Sequence, residues 1–520
     1  MSLTVRRVET KSFEGQKPGT SGLRKTVKTF QQEHYTENFV QSILTALGDR
    51  AENSVLVVGG DGRYFAREAI SIIIQIAAAN KVSKLIIGQN GILSTPAVSC
   101  IIRKYKTDGG IVLTASHNPG GPNHDFGIKF NTANGGPAPE SVTNQIYKIT
   151  TEIKEYLTVP DLNVDISKIG VQKFRIGDRD FTVEVIDSVQ DYLDLMKSIF
   201  DFEKLSSLIK GNETRKPFKL LINSMHGVTG PYVRRIFVEE LGATEDSVIN
   251  TIPLEDFGGH HPDPNLTYAA DLVQALLNGS QDFGAAFDGD GDRNMILGEK
   301  AFFVNPSDSL AVLADNLEAI PYFKKTGVRG FARSMPTGSA IDRVASSGNR
   351  SFFEVPTGWK RASEPDLTTS GRRTASGQFL AWLSVVQQQG LPVRTIVENH
   401  WKKYGRNYFT RYDYEDCQAE PCGKMMKELE ALITSPVFAG REETLNGKTY
   451  KVQKADNYAY KDPVDGSEAK NQGIRILFED GSRIIYRLSG TGSSGATVRL
   501  YVETYEKEYM KFSLRIHRLF

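Results

Sequence analysis

Cysteine is nearly absent. Cys100, Cys417 and Cys422 are the whole complement of a 520-residue chain, too few and too unevenly spaced for a disulfide framework or a zinc site. Neither sign of charge is in excess: 63 basic residues stand against 62 acidic ones, so no global field favours nucleic acid or an anionic membrane. Long apolar runs are missing too. The stretch around Ile72 to Ala79 is too short to span a bilayer, and Met1 to Phe13 holds no apolar segment of the signal-peptide kind. Nothing resembles a Walker sequence, and Gly59-Gly-Asp-Gly62 reads as a turn rather than a nucleotide loop. These absences leave a cytoplasmic globular protein, expected to bind neither nucleic acid nor membrane. Its length predicts roughly three to five domains.

What is present is a repeated strand, glycine-rich loop and helix. Val55 to Val58 precede one such loop, and Phe65, Ala69, Ile72, Ile73 and Ile76 then recur three or four apart, one face of an amphipathic helix. Leu85 to Ile87 and Ile111 to Leu113 repeat the strand signal. The theme returns at Phe218 to Ile222, with Pro231 in a tolerated first helical turn before Val233 to Leu241, and again from Phe302 to Ala345. After about residue 405, Tyr408 to Tyr414, Ile474 to Phe478, Arg483 to Leu488 and Thr497 to Val502 read as antiparallel strands. The fold class is α/β: three related mixed-sheet domains and a C-terminal α+β domain around a central cleft. Boundaries are expected at 1–190, 191–304, 305–405 and 406–520.

Two loops carry chemistry. Thr114-Ala-Ser-His-Asn-Pro-Gly-Gly121 places the Ser116 hydroxyl in a tight turn directly after an apolar strand. Asp288-Gly-Asp-Gly-Asp-Arg293 follows another apolar run and spaces three carboxylates at alternate positions, hard oxygen donors suited to a small divalent cation such as Mg²⁺. An EF-hand also begins D-x-D-x-D, and Glu299 even falls at the twelfth position. Arg293 at the sixth position and strand-like flanks argue against it. A phosphate-bearing serine and a charge-neutralising cation are what phosphoryl transfer needs.

The serine string resembles the active-site loop of the α-D-phosphohexomutase superfamily and matches its phosphoglucomutase branch closely. Asp125-Phe-Gly-Ile-Lys-Phe-Asn131, Lys17-Pro-Gly-Thr-Ser-Gly-Leu-Arg24 and Arg487-Leu-Ser-Gly-Thr-Gly-Ser493 extend the resemblance. It implies that Ser116 is phosphorylated in the resting enzyme, and that Ser116, Asp288, Asp290 and Asp292 hold Mg²⁺. Ser116, His117 and Lys129 are the catalytic candidates. Thr20, Ser21, Arg24, Ser116, Asp292, Arg293, Thr357, Gly358, Arg487, Ser489, Thr491 and Arg499 are expected to bind substrate, the last group gripping the distal phosphate. His260 and His261 stand in a motif the family uses for packing and are left out. The implied reaction interconverts glucose 1-phosphate and glucose 6-phosphate through glucose 1,6-bisphosphate, by a monomer with hexose phosphates as its small-molecule partners. A different class, a non-catalytic cytoskeletal scaffold, exists in the superfamily, but Asn118 and Gly289 agree with the active branch. A mutase for mannose or N-acetylglucosamine phosphates is a third option.

The resemblance breaks after Val355-Pro-Thr-Gly-Trp-Lys360. The family continues to E-S-F-G-T-G-S-D-H-I-R-E-K-D-G-L-W-A-V, whose glutamate and serine grip sugar hydroxyls and whose lysine lies near the transferring proton. Codons for that string read one nucleotide late spell Arg361 to Phe379 residue for residue, and the family frame returns at Leu380-Ala-Trp-Leu-Ser384. The segment is also shorter overall, and the family runs on into further helices after Tyr505. Arg361 to Phe379, poor in core residues, is expected to be an irregular loop, and hexose binding is expected to suffer. Sequencing the transcript should show the displaced frame; an unbroken frame for these residues, confirmed by peptide mass, would refute it.

Overall fold

The computed structural model describes residues 3–508, apart from 20, 357–373, 446, 463–465, 467 and 491–495. The chain divides into two compact units. One is Met1–Phe302 with Ala319–Lys325 and Arg372–Gln388; the other is Phe303–Glu318, Thr326–Gly371 and Gln389–Phe520. Among the described residues no helix is long and apolar enough to cross a membrane.

The first unit is built on a seven-stranded mixed sheet. Its strands are β1 (Leu23–Thr26), β2 (Val55–Gly60), β3 (Lys84–Ile92), β4 (Gly109–Leu113), β5 (Asp125–Thr132), β6 (Gly170–Ile176) and β7 (Arg179–Ile186), in the spatial order β1-β5-β4-β2-β3-β7-β6. The central strands β4, β2, β3 and β7 run parallel, and β5 and β6 turn antiparallel at the flanks. Leu56 and Val58 point into a core shared with helices Tyr35–Leu47 and Ala66–Ala79. Val57, between them, faces the other side by strand alternation, where helix Thr95–Tyr105 packs on β2 and β4. Burial on both faces is why these strands read as unbroken apolar runs.

A second sheet repeats the plan with β8 (Leu220–Asn223), β9 (Val248–Ile249), β10 (Phe283–Phe287) and β11 (Asn294–Gly298), in the order β9-β8-β10-β11. The two motif loops leave the carboxyl ends of β4 and β10, where open α/β sheets bind ligands. The second unit carries a parallel pair, Gly330–Ser334 with Ser351–Val355, and a six-stranded sheet whose neighbours are all antiparallel, from Arg406–Cys417 to Glu442–Leu445. The α/β-then-α+β progression expected from the sequence is the observed one.

One expectation fails. Residues 361–373 lie outside those described, but the tail of the supposed irregular loop is the first turn of helix Ala375–Gln389. Thr374 Oγ1 accepts the Gly377 N–H at 3.0 Å, a capping contact. Phe379 is fully buried, stacked on Phe283 at 4.6 Å with 6° between the planes and edge-on to Phe237 at 5.3 Å. Averaged composition hid one capping hydroxyl and one core aromatic, which suffice to start a helix whose next turns, with Leu380, Trp382 and Leu383, are apolar. Phe379→Ala should cost about 3–5 kcal/mol in urea unfolding; a loss below about 1 kcal/mol would mean the ring is not part of the core.

Candidate active site

Ser116 has φ of +58°, a left-handed conformation that non-glycine residues hold only when their surroundings insist. The surroundings are a buried ion pair two strands' worth of sequence away. Asp61 and Arg63 pair at 2.9 Å with both side chains fully inaccessible. Arg63 then donates from Nη2 to the Ser116 carbonyl and from Nη1 to the Asp125 carbonyl, each at 2.9 Å. Thr114 donates its hydroxyl to Asp61 at 2.5 Å and accepts the Ser116 N–H at 2.7 Å. Burial pushes the Asp61 carboxyl upward, and Arg63 with the Thr114 hydroxyl pulls it back. Sequence reasoning passed over this pair as part of a glycine turn. The signal was available, since Asp61 follows an apolar strand just as the serine loop does.

The aspartate loop comes against the serine loop. Ser116 Oγ donates to Asp288 Oδ2 at 3.2 Å. A Cβ on Gly289 would stand 2.7 Å from the Ser116 carbonyl oxygen, so only glycine allows that approach. The loop is fixed from several sides: Val228 N–H to the Gly289 carbonyl at 3.0 Å, Gly289 N–H to the Pro262 carbonyl at 3.2 Å, and Ala375 N–H to the Gly291 carbonyl at 3.0 Å. Arg293 N–H reaches Asp288 Oδ1 at 2.9 Å.

Asp288, Asp290 and Asp292 are all buried and each offers an oxygen within 4.8 Å of the others. Burial, then the charges of Asp290 and Asp292, push the Asp288 carboxyl well above its usual range. Asp290 is held low despite its burial by Lys129, the Thr95 hydroxyl, Asp288 and Arg24, and its Oδ1 is buried with no hydrogen-bond partner among the described residues. Clustered hard oxygens, one of them orphaned, fit a divalent cation.

The cations surround this group. Lys129 is a buried residue of β5. Arg24 on β1 is buried enough to lower its guanidinium pKa, with Asp290 opposing the drop, and its Nε has no hydrogen-bond partner among the described residues. Arg293 Nε lies 3.8 Å from Asp292 and 4.0 Å from Asp288, with Nη1 3.6 Å from Asp263. The His117 ring sits 6.2 Å from His261, which stacks on Tyr268 at 4.3 Å; His261, set aside on sequence, is thus a neighbour of the serine loop.

Ser21 is exposed beside the Gly19–Gly22 bridge. In the second unit Arg487 and Arg499 face each other on paired strands. Arg487 Nε donates to the Gln472 carbonyl at 3.1 Å, and Arg499 lies 3.7 Å from Asp413. Arg487 also lines a cavity of about 440 Å³ with Lys427, Asn457 and Asn471. Thr20, Thr357, Gly358, Thr491 and the Ser489 side chain lie outside the described residues.

A buried serine, clustered carboxylates able to hold a cation, and ringed basic groups in paired α/β domains define a phosphoryl-transferring class. Residues 15–157 and 190–301 match the family models for α/β/α domains I and II of phosphoglucomutase/phosphomannomutase, and 406–519 match the phosphoglucomutase-1 C-terminal domain. The chain is 61% identical to phosphoglucomutase 1 of Drosophila melanogaster over 98% of its length and 94% of the relative's. It is 56% identical to phosphoglucomutase-1 of Bos taurus over 97% and 93%. The open form of Paramecium parafusin, an exocytosis-sensitive phosphoprotein described as a phosphoglucomutase, superposes with a TM-score of 0.87 at 45% identity, over 100% of this chain and 96% of that one. The chain belongs to the phosphoglucomutase family and is an enzyme of its metal-dependent phosphotransferase kind.

Arg63→Met should lose about 3–5 kcal/mol by leaving Asp61 buried and unpaired. Adding Asp61→Leu should recover stability in thermal unfolding without recovering phosphate incorporation at Ser116. Full incorporation in the double variant would show that Arg63 does not place the serine.

Proposed function

We propose that the chain interconverts glucose 1-phosphate and glucose 6-phosphate in the cytoplasm, using phosphorylated Ser116 and a glucose 1,6-bisphosphate intermediate. The observation that carries this is the 3.2 Å contact from Ser116 Oγ to Asp288 within a ring of buried aspartates, in a chain so similar to phosphoglucomutases.

In the forward step the phosphorus–oxygen bond to Ser116 breaks as one forms to the free sugar hydroxyl. That hydroxyl loses a proton and Ser116 Oγ gains one. The bisphosphate turns over, and the other phosphoryl group returns to Ser116 with the reverse proton balance. Asp288, Asp290 and Asp292 would hold Mg²⁺, which when bound offsets charge on the transferring group. Lys129, Arg24 and Arg293 supply fixed positive charge to the same region. Arg487 and Arg499 are assigned to the spectator phosphate, with Ser489 and Thr491. The Arg361–Phe379 replacement removes the family residues that grip sugar hydroxyls, so this chain should phosphorylate Ser116 yet hold hexose weakly.

Mass spectrometry of the purified chain should find phosphate on Ser116 that exchanges for label on adding glucose 1-phosphate carrying an isotopically labelled phosphate, with Mg²⁺. The KM should lie well above that of the Drosophila relative measured alongside. An unphosphorylated Ser116 that no hexose bisphosphate can load would sink the reading; a KM equal to the relative's would refute the weak-grip corollary.

A further inference from the structure

Asp290 is the middle carboxylate of its loop, yet its hold comes from 195 positions away in sequence. Thr95 donates its hydroxyl to Asp290 Oδ2 at 2.8 Å and its N–H to the Asp290 carbonyl at 3.0 Å. The exposures are 2% and 1%. One bond fixes the side chain and the other the backbone, so the residue can neither swing nor slide. The remaining oxygen, Oδ1, is buried and has no hydrogen-bond partner among the described residues.

The donor is itself well founded. Thr95 opens helix Thr95–Tyr105, capped by Ser94, whose hydroxyl accepts the Ala97 N–H at 3.2 Å. Pro96 follows, in a first turn where its missing N–H costs nothing. Ser94 N–H donates to Tyr232 Oη at 3.1 Å, and Tyr232 donates in turn to the Ser188 carbonyl at 2.6 Å. The helix packs on β4, the strand that runs into Ser116. Thr95 thus rides on the sheet that carries the serine and grips the loop that carries the aspartates.

We propose that Thr95 is a positioning residue for the metal site: by occupying Oδ2 it presents Oδ1 of Asp290 to the cation and fixes the aspartate ring relative to Ser116. The inference rests on the reading of the three aspartates as metal ligands. Partners of ligating carboxylates typically govern about 10–100-fold in metal affinity.

Mn²⁺ titrated into the full chain without sugar, with free ion read by electron paramagnetic resonance, tests it. Thr95→Val keeps the side-chain shape and should weaken Mn²⁺ binding about 10-fold, while Thr95→Ser should bind as the unsubstituted chain does. Unchanged affinity in Thr95→Val overturns the proposal. If valine is not tolerated, Thr95→Ala must show the loss and serine must not; equal losses would assign the effect to packing and overturn it as well. Unsubstituted chain that binds no Mn²⁺, or Asp288→Asn that binds it undiminished, would instead overturn the metal-loop reading.

Discussion

The contact between the Gly289 backbone and the Ser116 carbonyl governs the rest of the first unit. Two loops from two sheets meet there with no room for a single methyl group. Loop backbone is ordinarily solvent-facing because its polar groups need partners. Here the partners come from other segments: Arg63 on one side, and Val228, Pro262, Thr95 and Ala375 on the other. Gly227 and Gly120 serve the same end, since side chains there would strike the Gly289 Cα at 3.0 Å and the Glu255 carbonyl at 2.6 Å. Glycine supplies the proximity, and the borrowed hydrogen bonds supply the rigidity that glycine forfeits.

The charges follow from that geometry. The buried pair Asp61–Arg63 cancels internally and works as scaffold. Around it stand three carboxylates, Asp288, Asp290 and Asp292, against three cations, Arg24, Lys129 and Arg293. A serine phosphate brings a charge of about −2, and a divalent cation brings the opposite amount. With all three carboxylates ionised these charges cancel, and the phosphate and the cation would cancel each other as well. The raised Asp288 carboxyl fits the same logic, because three like charges in a dry ring relieve themselves by taking up either a proton or a metal ion. In a site of low dielectric these balances decide affinity far more than they would at a surface.

The sequence made legible whatever depends on neighbours along the chain. Apolar runs ending in glycine loops located β2, β4 and β10 and the loops that leave them, and strand-like flanks ruled out the EF-hand. Contacts across the fold were another matter. Asp61 and Arg63 looked like a turn because their task, holding Ser116 in a left-handed conformation, depends on a residue 53 positions away. Thr95 carried no motif at all. The helix start at Ala375 was missed for a different reason: a mean over nineteen mostly polar positions cannot register that Phe379 lands between Phe283 and Phe237.

That missed helix bears on how the altered segment affects the enzyme. Ser116, the aspartates, Lys129, Arg24 and Thr95 all precede residue 300 in one compact unit, and the described contacts from Ser116 to Asp288 and from Thr95 to Asp290 lie within it. Among the described residues the segment touches the loop through the Ala375 N–H to the Gly291 carbonyl, a backbone bond any non-proline residue there can make. On the proposed reading, phosphoryl chemistry and sugar grip would be carried by separate stretches of chain. Binding energy from non-reacting hydroxyls ordinarily helps lower the barrier to transfer, so loss of the grip would weaken turnover without dismantling the groups that perform it. On that reading a chain of this design would keep a phosphorylatable serine and a cation site even with a different segment at Arg361 to Phe379.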